Sequence, residues 1–111
     1  MRSLIFLLLF SLASYSQSYK EKISIVQYSA EFAKDGEIDL KNFKAYNTHH
    51  FDLIKDQKIF IKEDIQFVPT LILYQNGKEI KRIEAGISLR LQEDAVDLIN
   101  KEIDDLLSSR F

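Results

Sequence analysis

Phe67-Val-Pro-Thr-Leu-Ile-Leu-Tyr-Gln-Asn-Gly-Lys78 is the stretch that decides the architecture. Thr70 to Tyr74 is an unbroken, mostly apolar run of strand-forming residues, the pattern of a strand covered on both faces. Asn76-Gly77 follows it, and Asn-Gly between apolar runs is the strongest short-range hairpin signal, because both residues tolerate the positive φ of a type I′ turn. Lys78 to Glu84 then returns as an antiparallel neighbour carrying Ile80 and Ile83, and Gly86 closes it. Upstream, Pro69 stops the preceding segment, since proline cannot continue a helix.

Working outward, Ile23-Ser-Ile-Val-Gln-Tyr28 reads as a buried strand, and Ala33-Lys-Asp-Gly36 breaks it. Asp35, Glu37 and Asp39 cluster as acids do in a first helical turn, with Asp35 suited to the N-cap. With Leu40, Phe43 and Tyr46 at helical spacing, they predict a crossover helix. Phe51 to Ile54 predicts a second short strand, and Ile59 to Ile65 a compact helix. Leu91, Ala95, Leu98, Ile99, Ile103 and Leu106 form a helical stripe, predicting a final helix over 91–107. The order β-α-β-α-β-β-α needs a right-handed crossover first and a hairpin last. Both constraints are met by an α/β fold with a mixed four-stranded sheet, strand order 2-1-3-4, flanked by helices on both faces.

A chain of 111 residues is one domain by length, and 46% hydrophobic residues suffice for one core. A net charge of −2 leaves no basic footprint for nucleic acid or an anionic membrane. The chain has no cysteine, so it makes no disulfide, builds no thiolate metal site and has no sulfur nucleophile. His49-His50 invites a metal reading, yet adjacent strand residues point to opposite faces, and Asp52 shares a face with His50 alone. No metal and no cofactor are expected.

Residues 1–16 are different material. Arg2 is their one charge, Leu4 to Phe10 is wholly apolar, and Ser14 and Ser16 are small residues at cleavage spacing. This is the pattern of a signal peptide, far short of the ~20 apolar residues that span a bilayer. Cleavage after Ser16 leaves a domain over 17–111 with no membrane span, placed in a secreted or periplasmic setting. A retained leader would instead form a short hydrophobic arm.

Two segments now carry a family resemblance. Ile25-Val-Gln-Tyr-Ser-Ala-Glu-Phe-Ala-Lys-Asp-Gly36 resembles the first central strand and active-site turn of thioredoxins, which typically read Val-Asp-Phe-Trp-Ala-Glu-Trp-Cys-Gly-Pro-Cys. Phe67 to Lys78 resembles the family's Ile-Pro-Thr-Leu segment, strand and Asn-Gly turn, and Gly86 the glycine after its last strand. The resemblance spans about Ile23 to Leu107 and implies the thioredoxin fold with a cis peptide bond before Pro69. It also implies an extended peptide or protein partner docked on Phe32, Ala33, Gly36, Val68 and Pro69.

The departures from the family bear on function. Its two cysteines fall on Ala33 and Gly36, its buried carboxylate on Gln27, and its tryptophans on Ser29 and Phe32. Thiol–disulfide exchange needs a thiolate, which alanine and glycine cannot supply. The expected function is therefore a redox-inactive thioredoxin-like domain that binds a partner polypeptide or serves in an assembly. The alternative is a disulfide oxidoreductase role inferred from the fold. If the turn keeps the family's geometry, cysteines placed at 33 and 36 would bridge.

The leader reading makes a direct prediction. Protein from its native host should have an intact mass beginning at Gln17, with or without cyclisation of that glutamine. A mass that includes Met1 would contradict cleavage.

Overall fold

Strands β1 (Ile23–Ser29) and β3 (Thr70–Gln75) are buried along almost their whole length, and their side chains alternate between two apolar layers. Ile25, Leu71 and Leu73 point into one layer; Val26, Tyr28, Ile72 and Tyr74 point into the other. This period-two alternation places one sheet between two covers. The computed structural model describes residues 18–109, so the leader expected over 1–16 lies outside the described residues.

Strand β2 (Asn47–Asp52) pairs parallel with β1, β3 pairs antiparallel with β1, and β4 (Lys78–Glu84) pairs antiparallel with β3. The sheet order is β2-β1-β3-β4, as expected. Asn76 and Gly77 both have positive φ, 50° and 89°, so the β3–β4 turn is of the expected kind. Helix α1 (Gln57–Lys62) covers one face through Phe60, and helix α2 (Ala95–Ser108) covers the other through Ala95, Ile99 and Ile103. No helix among the described residues is long and apolar enough to cross a membrane.

The crossover differs from the helix expected after Gly36. It is two short 3-10 turns, Glu31–Gly36 and Leu40–Phe43, and the cap of the second is Asp39, not Asp35. The cause is Gln27. Its side-chain amide donates to the Ile38 carbonyl at 3.0 Å, and its amide oxygen accepts from the Ile38 N–H at 2.9 Å. Both backbone groups that a helix would use at Ile38 are taken. Phe43 still reaches the core, as its spacing implied.

Strand β2 starts earlier and ends two residues sooner than expected. It stops at Asp52, whose carboxylate accepts from Ile54 and Lys55 N–H at 3.0 and 3.2 Å, closing an Asx-type turn. Helix α1 ends in a Schellman motif, with Asp64 at φ 54° and Ile65 N–H donating to the Phe60 carbonyl at 2.9 Å. Helix α2 begins four residues after the start of the expected helix at Leu91, whose N–H donates to the Gly36 carbonyl at 3.0 Å.

Ile99 is fully buried where α2 meets the sheet. Ile99→Ala should destabilise the domain by about 2–5 kcal/mol, read as a lower urea midpoint. A loss under about 1 kcal/mol would mean that α2 is not packed as described.

Candidate functional site

Tyr28 near the end of β1 lies opposite Thr70 at the start of β3, so the chain leaves β1 and enters β3 at the same end of the sheet. Three loops meet there: 30–36, 67–69 and 85–91. The Val68–Pro69 peptide bond is cis. Thr70 Oγ1 donates to the Phe67 carbonyl at 2.6 Å, and the Pro69 carbonyl accepts from Ala85 N–H at 3.0 Å. The Gly36 carbonyl accepts from Leu91 N–H, as above, and Arg90 Nη1 reaches the Asp35 carbonyl at 3.4 Å. The 85–91 loop thus ties the other two together.

The five residues expected to form a docking surface divide by exposure. Phe32 is 67% exposed and Val68 half-buried, whereas Ala33, Gly36 and Pro69 are buried. Sequence reading had not included Phe67, Ile87 and Leu89, which are also exposed at this end of the sheet. Their signal was available: large apolar residues beside a proline and a glycine, off any strand or helix stripe.

Gly36 is fixed by close approach. A Cβ there would overlap the Leu89 carbonyl oxygen and come within 2.7 Å of Arg90 Cα, both rigid backbone. Leu89 itself holds a φ of 58°, a conformation strained for a branched side chain. The closed contact bears against the expectation that cysteines at 33 and 36 would bridge with the backbone unchanged. Position 36 accepts a side chain only if the 85–91 loop moves. Gly86, in contrast, has nothing within 4 Å of an added Cβ.

Gln27 is buried and fully engaged by Ile38. As a neutral amide it moves no proton and acts as a backbone clamp. The two histidines separate as the strand pleat requires. His49 stacks on Phe51, with ring centroids 6.2 Å apart, and burial pushes its imidazole below the ordinary histidine value. His50 Nε2 lies 3.0 Å from Glu37 Oε1. Among the described residues no group of three or more acids or histidines could hold a metal ion.

A second polar cluster, invisible in the sequence pattern, sits under the α1 face. Glu63, at the C-cap of α1, has its side chain only 7% exposed. Its carboxylate accepts from Tyr19 Oη at 2.6 Å and Tyr74 Oη at 3.3 Å, and lies 2.7 Å from Lys20 Nζ. Tyr74 in turn shares a 2.8 Å bond with Tyr28. Burial pushes the Glu63 carboxyl up, but the bonds from Lys20 and Tyr19 outweigh it and hold it below the ordinary glutamate value. Burial raises all three tyrosines above their ordinary value; the Glu63 carboxylate adds to it, while the bond with Tyr28 partly offsets it at Tyr74.

The mixed sheet of order 2-1-3-4 with helices on its faces is the thioredoxin fold, here without a Cys-x-x-Cys motif. Solved structures agree on the fold. Schistosoma mansoni thioredoxin is similar with a TM-score of 0.59 at 17% identity, covering 86% of each chain. Oxidised thioredoxin from Plasmodium falciparum gives 0.56 at 17% identity, over 77% of this chain and 84% of that one. Thioredoxin-2 of the malaria parasite, described as a component of its protein secretion machinery, gives 0.58 at 20% identity, over 72% and 82%. No protein-family model and no curated protein matches the sequence.

The two glycines give a paired prediction. Gly36→Ala should cost about 1–3 kcal/mol, since the new methyl meets backbone. Gly86→Ala should be neutral or stabilising by up to about 1 kcal/mol. Thermal melts of both variants decide it, and equal midpoints would contradict the closed contact at Gly36.

Proposed function

We propose that this chain is a redox-inactive thioredoxin-fold domain that binds a partner polypeptide, in a secreted or periplasmic setting. The observation that carries the reading is the exposure of Phe32, Phe67, Ile87 and Leu89 on three loops that meet at one end of the sheet. Single exposed apolar residues need no explanation, but several gathered at one place are the ordinary mark of an interaction surface. Ala33, Gly36 and Pro69 serve this surface from beneath by fixing the loops that carry it.

The chemistry points the same way. The chain offers no thiolate, and Gln27 offers no base to activate one. Recognition by the backbone next to Val68 would be strand addition. Main-chain hydrogen bonds then supply affinity, and the exposed aromatic side chains supply selectivity. A role as a subunit of an assembly would use the same surface.

Two measurements test this. Insulin reduction by the purified domain should not exceed the reductant-only blank. Screening of unfolded apolar peptides by fluorescence polarisation should find binding that Phe32→Ala weakens at least about tenfold, as expected for a buried aromatic anchor. Reductase turnover would overturn the first half, and binding indifferent to Phe32 the second.

A further inference from the structure

The segment before β1 is held to the sheet in an unusual way. Residues 18–20 form a 3-10 turn, and Tyr19 packs edge-on against Phe51 and Tyr74, with centroids 5.2 and 6.1 Å apart. The Lys20 carbonyl accepts from Gly77 N–H and the Lys22 carbonyl from Asn76 N–H, each at 2.9 Å, so the backbone is fastened to the β3–β4 turn. Both side-chain anchors of the segment, buried Tyr19 and half-buried Lys20, end on the one carboxylate of Glu63.

We propose that residues 18–22 are a strap closed by ionised Glu63, and that protonation of Glu63 opens the strap while the sheet stays folded. The groups facing this carboxylate come from every neighbouring element. Tyr19 and Lys20 come from the strap, Tyr74 from β3, and Tyr28 from β1 through Tyr74. From β4, Arg82 donates to the Glu63 and Asp64 carbonyls at 2.8 and 2.9 Å, and its charge is already paired with Glu79 at 2.8 Å. Arg82 therefore anchors the end of α1 without closing the strap. Among the described residues, Lys20 is the one cation paired with the Glu63 carboxylate.

When Glu63 takes a proton, Lys20 is left as a cation whose side chain is 14% exposed, over the Tyr19 and Tyr74 rings at 5.7 and 5.2 Å. A buried charge without a counter-charge is strongly unfavourable, and a lysine relieves it by swinging into water. Tyr19, its neighbour in sequence, is drawn out with it. Opening uncovers Phe51 and Tyr74 at the edge of the cluster that also holds Val26, Phe60 and Ile72. The strands keep their own ladders, none of which uses the strap.

The direction with pH follows from the depressed Glu63 value. Closure is complete above the ordinary glutamate range and is lost as pH falls through the lowered folded value. The test is amide hydrogen exchange by NMR on the full ¹⁵N-labelled protein, corrected for intrinsic rates, between neutral pH and pH of about 3. The Asn76 and Gly77 amides should lose protection in one titration step while Leu71, Ile72 and Leu73 keep theirs. In Glu63→Gln both reporters should exchange at least about tenfold faster at neutral pH and show no further pH dependence. Should that variant fail to fold, Lys20→Met replaces it and must abolish the acid-driven step, because protonation of Glu63 then strands no cation. Loss of strap and strand protection together, a closed strap in Glu63→Gln, or a persisting acid-driven step in Lys20→Met would each overturn the proposal.

Discussion

The pair of hydrogen bonds between the Gln27 side-chain amide and the backbone of Ile38 is the interaction on which this end of the molecule depends. Buried peptide groups must find partners, and Ile38 has lost its helical ones. Gln27 supplies a donor and an acceptor at once. An ionised carboxylate at that position could accept the Ile38 N–H but could not donate to its carbonyl. The neutral amide therefore fits a static crossover. With Ile38 fixed, Gly36 is held beneath Leu89 and bonded to Leu91, and the loops carrying Phe32, Ile87 and Leu89 sit side by side.

Much of the fold was legible because its signals are local. Thr70 to Tyr74 is a run of strand formers, and Asn76-Gly77 meets the φ demands of a two-residue turn, so β3, the hairpin and β4 could be read directly. The stripe that ends at Leu106 placed α2 to within a turn. The crossover was not legible, because its shape is set by a side chain eleven residues earlier that competes for the backbone of Ile38. Acids at 35, 37 and 39 looked like a helix start, but only Asp39 caps anything, and that is a short 3-10 turn.

The site divides on the same physical line. The cis bond before Pro69 and a docking role for Phe32 were implied by the family resemblance; the bond is cis and Phe32 is exposed. The burial of Gly36 was not implied, since it depends on the 85–91 loop folding over from the far side of the hairpin. The Glu63 cluster was the least legible part. Tyr19 lies 44 residues away in sequence and Tyr74 eleven, and a glutamate ending a short helix usually faces water. Topology alone brings these groups together, so spacing holds no trace of them.

The turn after β1 is a closed platform, held by Gln27 and by the 85–91 loop. Amide hydrogen exchange at Ile38 and Leu91 tests it most directly, because both lie outside any strand or helix and their N–H groups donate to the Gln27 side chain and the Gly36 carbonyl. The account predicts protection at both amides comparable to that of Val26 and Ile72 in the central strands. Exchange at both as fast as in an exposed loop would contradict it.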